Sequence, residues 1–254
     1  MTWVETASAH FVARHADADT DGALDVLQLL EDTRARLEEE LPAVPGVEIA
    51  TVLHSTVVQL HLAQPILPVV SRLTSPAARR YLAGWFARDT VHVLAPSALD
   101  DRASGVPGSK EMLRLTPAAL YTRLALAASN PALPPPFRLR RTLHELRWAW
   151  LTAGFSQWFS GQTAQARPAI ARRLREGPPP AFPPRLRDAH LLGGTLVDLL
   201  VREEGRMAAV RLATELAGGE VGEALEAAFH GRGLRHTEGA WRLHLSKLAG
   251  RAPA

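Results

Sequence analysis

Ten histidines, 26 aspartates and glutamates and no cysteine bound the chemistry open to this chain of 254 residues. Without thiols there is no disulfide, no thiolate nucleophile and no cysteine-ligated zinc, so a metal ion would have to be held by His, Asp and Glu. His144 and Glu145, in "HELRW" (144–148), are the most suggestive neighbours. They open the HExxH pattern, in which histidines at i and i+4 point from one helix face at a single ion and the glutamate activates its bound water. Here Trp148 replaces the second histidine, and no two histidines of the chain are spaced i, i+4. His190, Asp198, His230, His236 and His244 join a site only if the fold gathers them. No GxSxG, phosphate-loop, dinucleotide or helix-turn-helix signature stands out, and "GGT" at 193–195 is too short to carry a reading.

The elements that must position these residues change character once along the chain. "HFVARH" (10–15) alternates apolar and polar positions as a half-buried strand does, and "VEIATVLH" (47–54) and "DTVHVLAP" (89–96) read as further strands rich in β-branched residues. Between the first two, "DTDGALDVLQLLEDTRARLEEEL" (19–41) places Leu24, Leu27, Leu30, Leu37 and Leu41 on one helical stripe, and "PAARRYLAGWF" (76–86) reads as a short helix. From residue 109 the pattern is helical throughout. One long helix is expected from about Arg138 to Gly161, and proline-rich joints at "PALPPPF" and "GPPPAFPP" separate the rest. The aromatic residues Trp148, Trp150, Phe155, Trp158 and Phe159 are spaced as core anchors. The expectation is an α+β fold, with a small mixed sheet layer in 1–108 and a mainly helical part in 109–254.

The formal charge is +3, and the pI of about 9.9 reflects arginines, since Lys110 and Lys247 are the only lysines. The clusters "RLRR" (138–141) and "RRLR" (172–175) sit among leucines at helical spacing and read as solvated helix faces, so a nucleic-acid partner is not expected. No uncharged apolar run reaches the length of a membrane span and no leader pattern opens the chain. The expectation is a cytoplasmic protein with no membrane partner.

Several segments, in this order, resemble the peptidase MA-like domain of the gluzincin zinc metallopeptidases. "SAHFVARH" and "VEIATVLHST" are similar to the family's first two strands, and "GWFARDTVHVLAP" to the strand bordering its substrate cleft. "WLTAGFSQWFSG" matches the family's WLxEGxAxYxxG helix at Trp150, Leu151, Gly154 and Gly161, with Trp158 in the aromatic slot. "GGTLVDLLVREEG" and "LEAAFHGRGLRHTEGAWRLHL" resemble its closing helices, so the likeness covers nearly the whole chain.

The resemblance implies a thermolysin-like fold whose metal chemistry is lost. The glutamate ligand of WLxEG is Ala153 here. The best match to HExxH is "ALYTR", where Ala119, Leu120 and Arg123 stand for first histidine, general base and second histidine. Two methyl-bearing or aliphatic residues cannot bind zinc, and Arg123 puts a fixed positive charge where a dication would sit. No cofactor is therefore expected, and the implied role is a binding or scaffold module taking a peptide or protein in the former cleft. Tyr121 and Arg123 are the candidate cleft binders, a guanidinium fork suiting carboxylate or phosphate, unless Arg123 pairs with a glutamate such as Glu145. His190 falls where the family often has a cleft tyrosine. The alternatives are an active zinc peptidase with relocated ligands, His144 and Glu145 among them, and an arginine-mediated nucleic-acid binder. His144 lies nine residues from Ala153, about 13 Å along one helix, too far to share an ion with that position.

Overall fold

A computed structural model describes residues 2–45, 49–87, 90–133, 142–216 and 219–250, with the side chains of Ala87 and of 142–145 outside the description. The chain forms an α+β fold in which a mixed five-stranded sheet precedes the helices. Strand β1 (Trp3–Ala7) runs antiparallel to β2 (Phe11–Ala16), with Trp3 opposite Ala16. Helix α1 (Thr20–Glu38) then crosses to β3 (Ile49–His54), which pairs parallel with β2, Phe11 opposite Ile49. Two short helices, α2 (Val57–Ala63) and α3 (Ile66–Leu73), and the single turn α4 (Pro76–Arg79) lead to β4 (Gly84–Ala87). That strand pairs antiparallel with β5 (Thr90–Leu94), itself parallel to β3, giving the order β1-β2-β3-β5-β4.

The three strands expected from sequence are present, and two edge strands were not anticipated. The segment 76–86, expected as one helix, is helical only over Pro76–Arg79 before entering β4. Gly84 explains the strand: a Cβ there would lie 2.7 Å from the His92 carbonyl oxygen, so only glycine lets the two backbones pair this closely. On α1, Leu27, Leu30, Leu37 and Leu41 are buried as the stripe requires, but Leu24 is 51% exposed. Ala23 and Val26 complete the buried face in its place.

The helical part comprises α5 (Ser109–Arg114), α6 (Thr116–Ser129), α7 (Thr142–Phe159), α8 (Gln162–Gln165), α9 (Arg167–Arg175), α10 (Leu186–Glu204), α11 (Arg206–Thr214), α12 (Val221–Ala228) and α13 (Leu234–Leu248). One continuous core joins Phe11, Leu30, Phe86 and Val91 of the first part to Tyr121, Trp148, Phe155 and Leu196 of the second, so the hydrophobic interior crosses the 108/109 boundary. A smaller cluster on the other face of the sheet gathers Leu60, Leu67, Leu82, Trp85, Leu94 and Leu99. Adjacent residues Trp85 and Phe86 enter different clusters because successive strand side chains point to opposite faces.

Helices α7 and α10 pack backbone to backbone. A Cβ built on Gly154 would stand 2.5 Å from Gly193 C and O, and one on Gly193 would stand 2.6 Å from the Trp150 carbonyl oxygen. Contact this tight needs glycine on both helices. The "GG" at 193–194, passed over in the sequence, is therefore the notch that receives α7.

Candidate functional site

Helices α6, α7 and α10 and strand β4 meet around a small open cavity, with Met112 of α5 and Gln162 of α8 also in its wall. From α6 come Thr116, Ala119, Leu120 and Arg123, spaced i, i+3, i+4 and i+7 as one helix face. Helix α7 contributes Ala153, Ser156 and Gln157 by the same rule, α10 contributes His190, and β4 with its approach supplies Gly84, Trp85 and Phe86. The positions aligned to the two histidines, the general base and the glutamate of a zinc peptidase, together with His190, thus line one cavity although they span residues 119 to 190.

Tyr121 is a correction. It is fully buried on the opposite face of α6, edge-on to Phe11 with ring centroids 5.1 Å apart, and its hydroxyl accepts a hydrogen bond from Arg34 at 3.2 Å. Two residues along a helix turn the side chain by more than half a revolution, so Tyr121 cannot share a face with Ala119 and Arg123.

Arg123 is the cation of the cavity, its guanidinium carbon 5.4 Å from the centroid of Phe86. His190 lines the cavity; burial first, and Arg123's charge second, push its pKa down to about 4. At neutral pH it is therefore an uncharged imidazole, one nitrogen donating and the other accepting, and it makes no side-chain hydrogen bond to a described residue. Thr116 is 6% exposed and its hydroxyl has no hydrogen-bond partner among the described residues. The other polar groups are engaged in structure: Ser156 donates to the Thr152 carbonyl, and Gln157 donates to the Ala189 carbonyl while accepting from the Gly194 amide. Gln162 donates to the Met112 carbonyl. No carboxylate lines the cavity among the described residues.

The chain matches no family model, no curated protein and no solved structure.

Among the described residues no three His, Asp or Glu side chains gather as a metal site. His144 and Glu145 lie in α7, but their side chains fall outside the described residues, as does the pairing of Arg123 with Glu145. Asp198 and His244 do meet, at 2.9 Å, yet Asp198 also accepts from Arg202 at 2.9 Å and from the Trp158 indole at 3.3 Å. Both its oxygens are occupied in tying α10 to α13 and α7. Of the basic clusters, "RLRR" lies outside the described residues, and in "RRLR" Arg172 and Arg175 are exposed as a solvated face requires while Arg173 is not. Arg173 is buried and grips Asp188 through two bonds of 2.6 and 2.7 Å, while Arg172 pairs with Glu176.

The sequence reading missed Thr116, Gln157 and the β4 aromatics as cavity residues. Thr116 and Gln157 are signalled by helical spacing alone, three before Ala119 and four after Ala153; "GWF" was read by its periodicity as the end of a helix, and only the family resemblance placed it in a strand beside the cleft.

Proposed function

We propose that this chain is a gluzincin-like metallopeptidase domain that has lost zinc ligation and hydrolysis and uses the former cleft to bind a peptide or protein segment presenting a carboxylate. The observation that carries the reading is the meeting of Ala119, Leu120, Arg123, Ala153 and His190 around one cavity, because these positions were singled out by motif alignment and not by proximity. Two alanines and an arginine in the ligand positions give zinc nothing to bind. In exchange, a fixed guanidinium, a neutral imidazole and the Thr116 hydroxyl offer donors to an anionic oxygen in a partly desolvated space, where charge-assisted hydrogen bonds are strongest.

Metal analysis of two proteins tests the reading. The natural chain should hold far less than one zinc per molecule, while the combined variant Ala119→His, Leu120→Glu, Arg123→His and Ala153→Glu should hold about one. Stoichiometric zinc in the natural chain, or a folded variant that takes none, overturns it. For the binding role, peptides with free carboxyl termini should be retained over amidated ones, and Arg123→Gln should weaken that retention by about tenfold or more.

A further inference from the structure

Helices α2 and α3 bury one side and leave the other bare. Leu60 and Leu67 anchor both helices in the cluster around Trp85, and the opposite faces carry Val58, Leu62, Ile66, Val69 and Leu73, each 51% to 79% exposed. These five account for half of the large hydrophobic side chains exposed among the described residues. Isolated apolar residues on a surface need no explanation; a continuous row over two consecutive helices does.

Within this stretch of the chain the charge has one sign. Residues 49–88 contain no aspartate or glutamate, in a chain where 26 of 254 residues are acidic and about four would be expected, yet they contain Arg72, Arg79, Arg80 and Arg88. Arg72, Arg79 and Arg80 are exposed at the C-terminal end of the row. Arg79 is held there by donating to the Ser71 carbonyl at 2.9 Å, and among the described residues none of the three pairs with a carboxylate. Past the stretch, Asp100, next to Leu99 of the same cluster, pairs with Lys110 at 2.5 Å, and exposed Asp101 is followed by Arg102, which donates to the Arg79 and Leu82 carbonyls. The exposed apolar residues are all aliphatic, with no exposed Trp or Tyr among them, and they line none of the cavities described. A protein partner is usually gripped by aromatic anchors set into pockets. An aliphatic face flanked by arginines suits fluid hydrocarbon beneath anionic headgroups, which demands no matching shape.

We infer that α2 and α3 form a monotopic docking face for an anionic lipid bilayer, with the aliphatic row entering the acyl boundary and Arg72, Arg79 and Arg80 meeting the headgroups. This departs from the sequence expectation of no membrane partner, which considered only segments able to span. Among the described residues no helix is long and apolar enough to cross a membrane, and this face does not require one. Leu82 and Trp85 belong both to the cluster under these helices and to the wall of the cavity.

Co-sedimentation of the full chain with phosphatidylcholine vesicles, with and without phosphatidylserine, tests the inference. Binding is expected only to the phosphatidylserine vesicles and should weaken with added salt. Leu62→Asp and Val69→Asp should each weaken it by about tenfold or more, and Arg72→Gln by about fivefold. All three positions are exposed, and unchanged circular dichroism of each variant keeps folding out of the comparison. Failure to bind anionic vesicles, or binding indifferent to Leu62→Asp, overturns the inference. So does a dimer that Leu62→Asp converts to monomer without any vesicle binding, which would assign the face to a second copy of the chain.

Discussion

At the scale of single residues, the histidines give the molecule a direction in pH. His54, 5% exposed, has its pKa lowered from the ordinary 6.5 to about 4 by burial and by the adjacent His92. The two rings stack, with Nε2 of His54 and Nδ1 of His92 3.0 Å apart, so one nitrogen must donate and the other accept. Burial lowers the pKa of His92 as well. The unfolded chain takes up protons near 6.5 while the folded chain resists until about 4, so the unfolded state binds more protons throughout that window. Stability should therefore be full above about pH 6.5 and decline as pH falls toward 4, His54 accounting for up to about 3 kcal/mol. Urea unfolding across that range measures the decline, and His54→Gln, which can keep a hydrogen bond to His92 without titrating, should make the curve flatter.

At the scale of elements, two contacts hold the helices that frame the cavity. The α7–α10 crossing leaves no room for a methyl group, so Gly154→Ala should force the helices apart and cost about 1–3 kcal/mol or more, read as a fall in Tm. Since Ala153 and His190 ride on those two helices, the same variant should also disturb cleft binding. The second contact is the buried pair of Arg173 on α9 and Asp188 on α10, whose guanidinium also donates to the Glu176 and Pro178 carbonyls at 3.2 and 3.0 Å. It fastens the start of the proline-rich connector to the helix that follows. Asp188→Ala strands a buried cation and should destabilise by about 3–5 kcal/mol in equilibrium unfolding. Helix existence and many ends were legible from periodicity and from glycines such as Gly205, at φ +86 just past α10. The β4 strand and the role of Gly193 were not, because each depends on a neighbour remote in sequence.

At the scale of the whole molecule, the core passes without interruption from the sheet into the helical part. Phe11 packs on Tyr121, and Phe86 lies in the same cluster as Trp148 and Leu196. A split at 108/109 would expose both sides of that interior, so neither fragment should fold by itself and the full chain should unfold in one transition. Calorimetry of the intact chain and circular dichroism of the separate fragments check this; two resolved transitions would contradict it. The same unity explains how residues on α6, α7, α10 and β4 come to face a single cavity.

By itself the sequence determined the fold class, the three inner strands, most helices and the chemical poverty of the ligand positions, because periodicity, turn residues and side-chain chemistry are local. It also fixed that Arg123 is charged wherever it lies. Only the tertiary structure decided that Tyr121 turns into the core while Arg123 turns to the cavity, that His190 is neutral, that Arg173 is buried against Asp188, and that α2 and α3 leave an aliphatic row uncovered. Each of these depends on which surfaces exclude water from one another, and that follows from distant segments packing together rather than from any short stretch of chain.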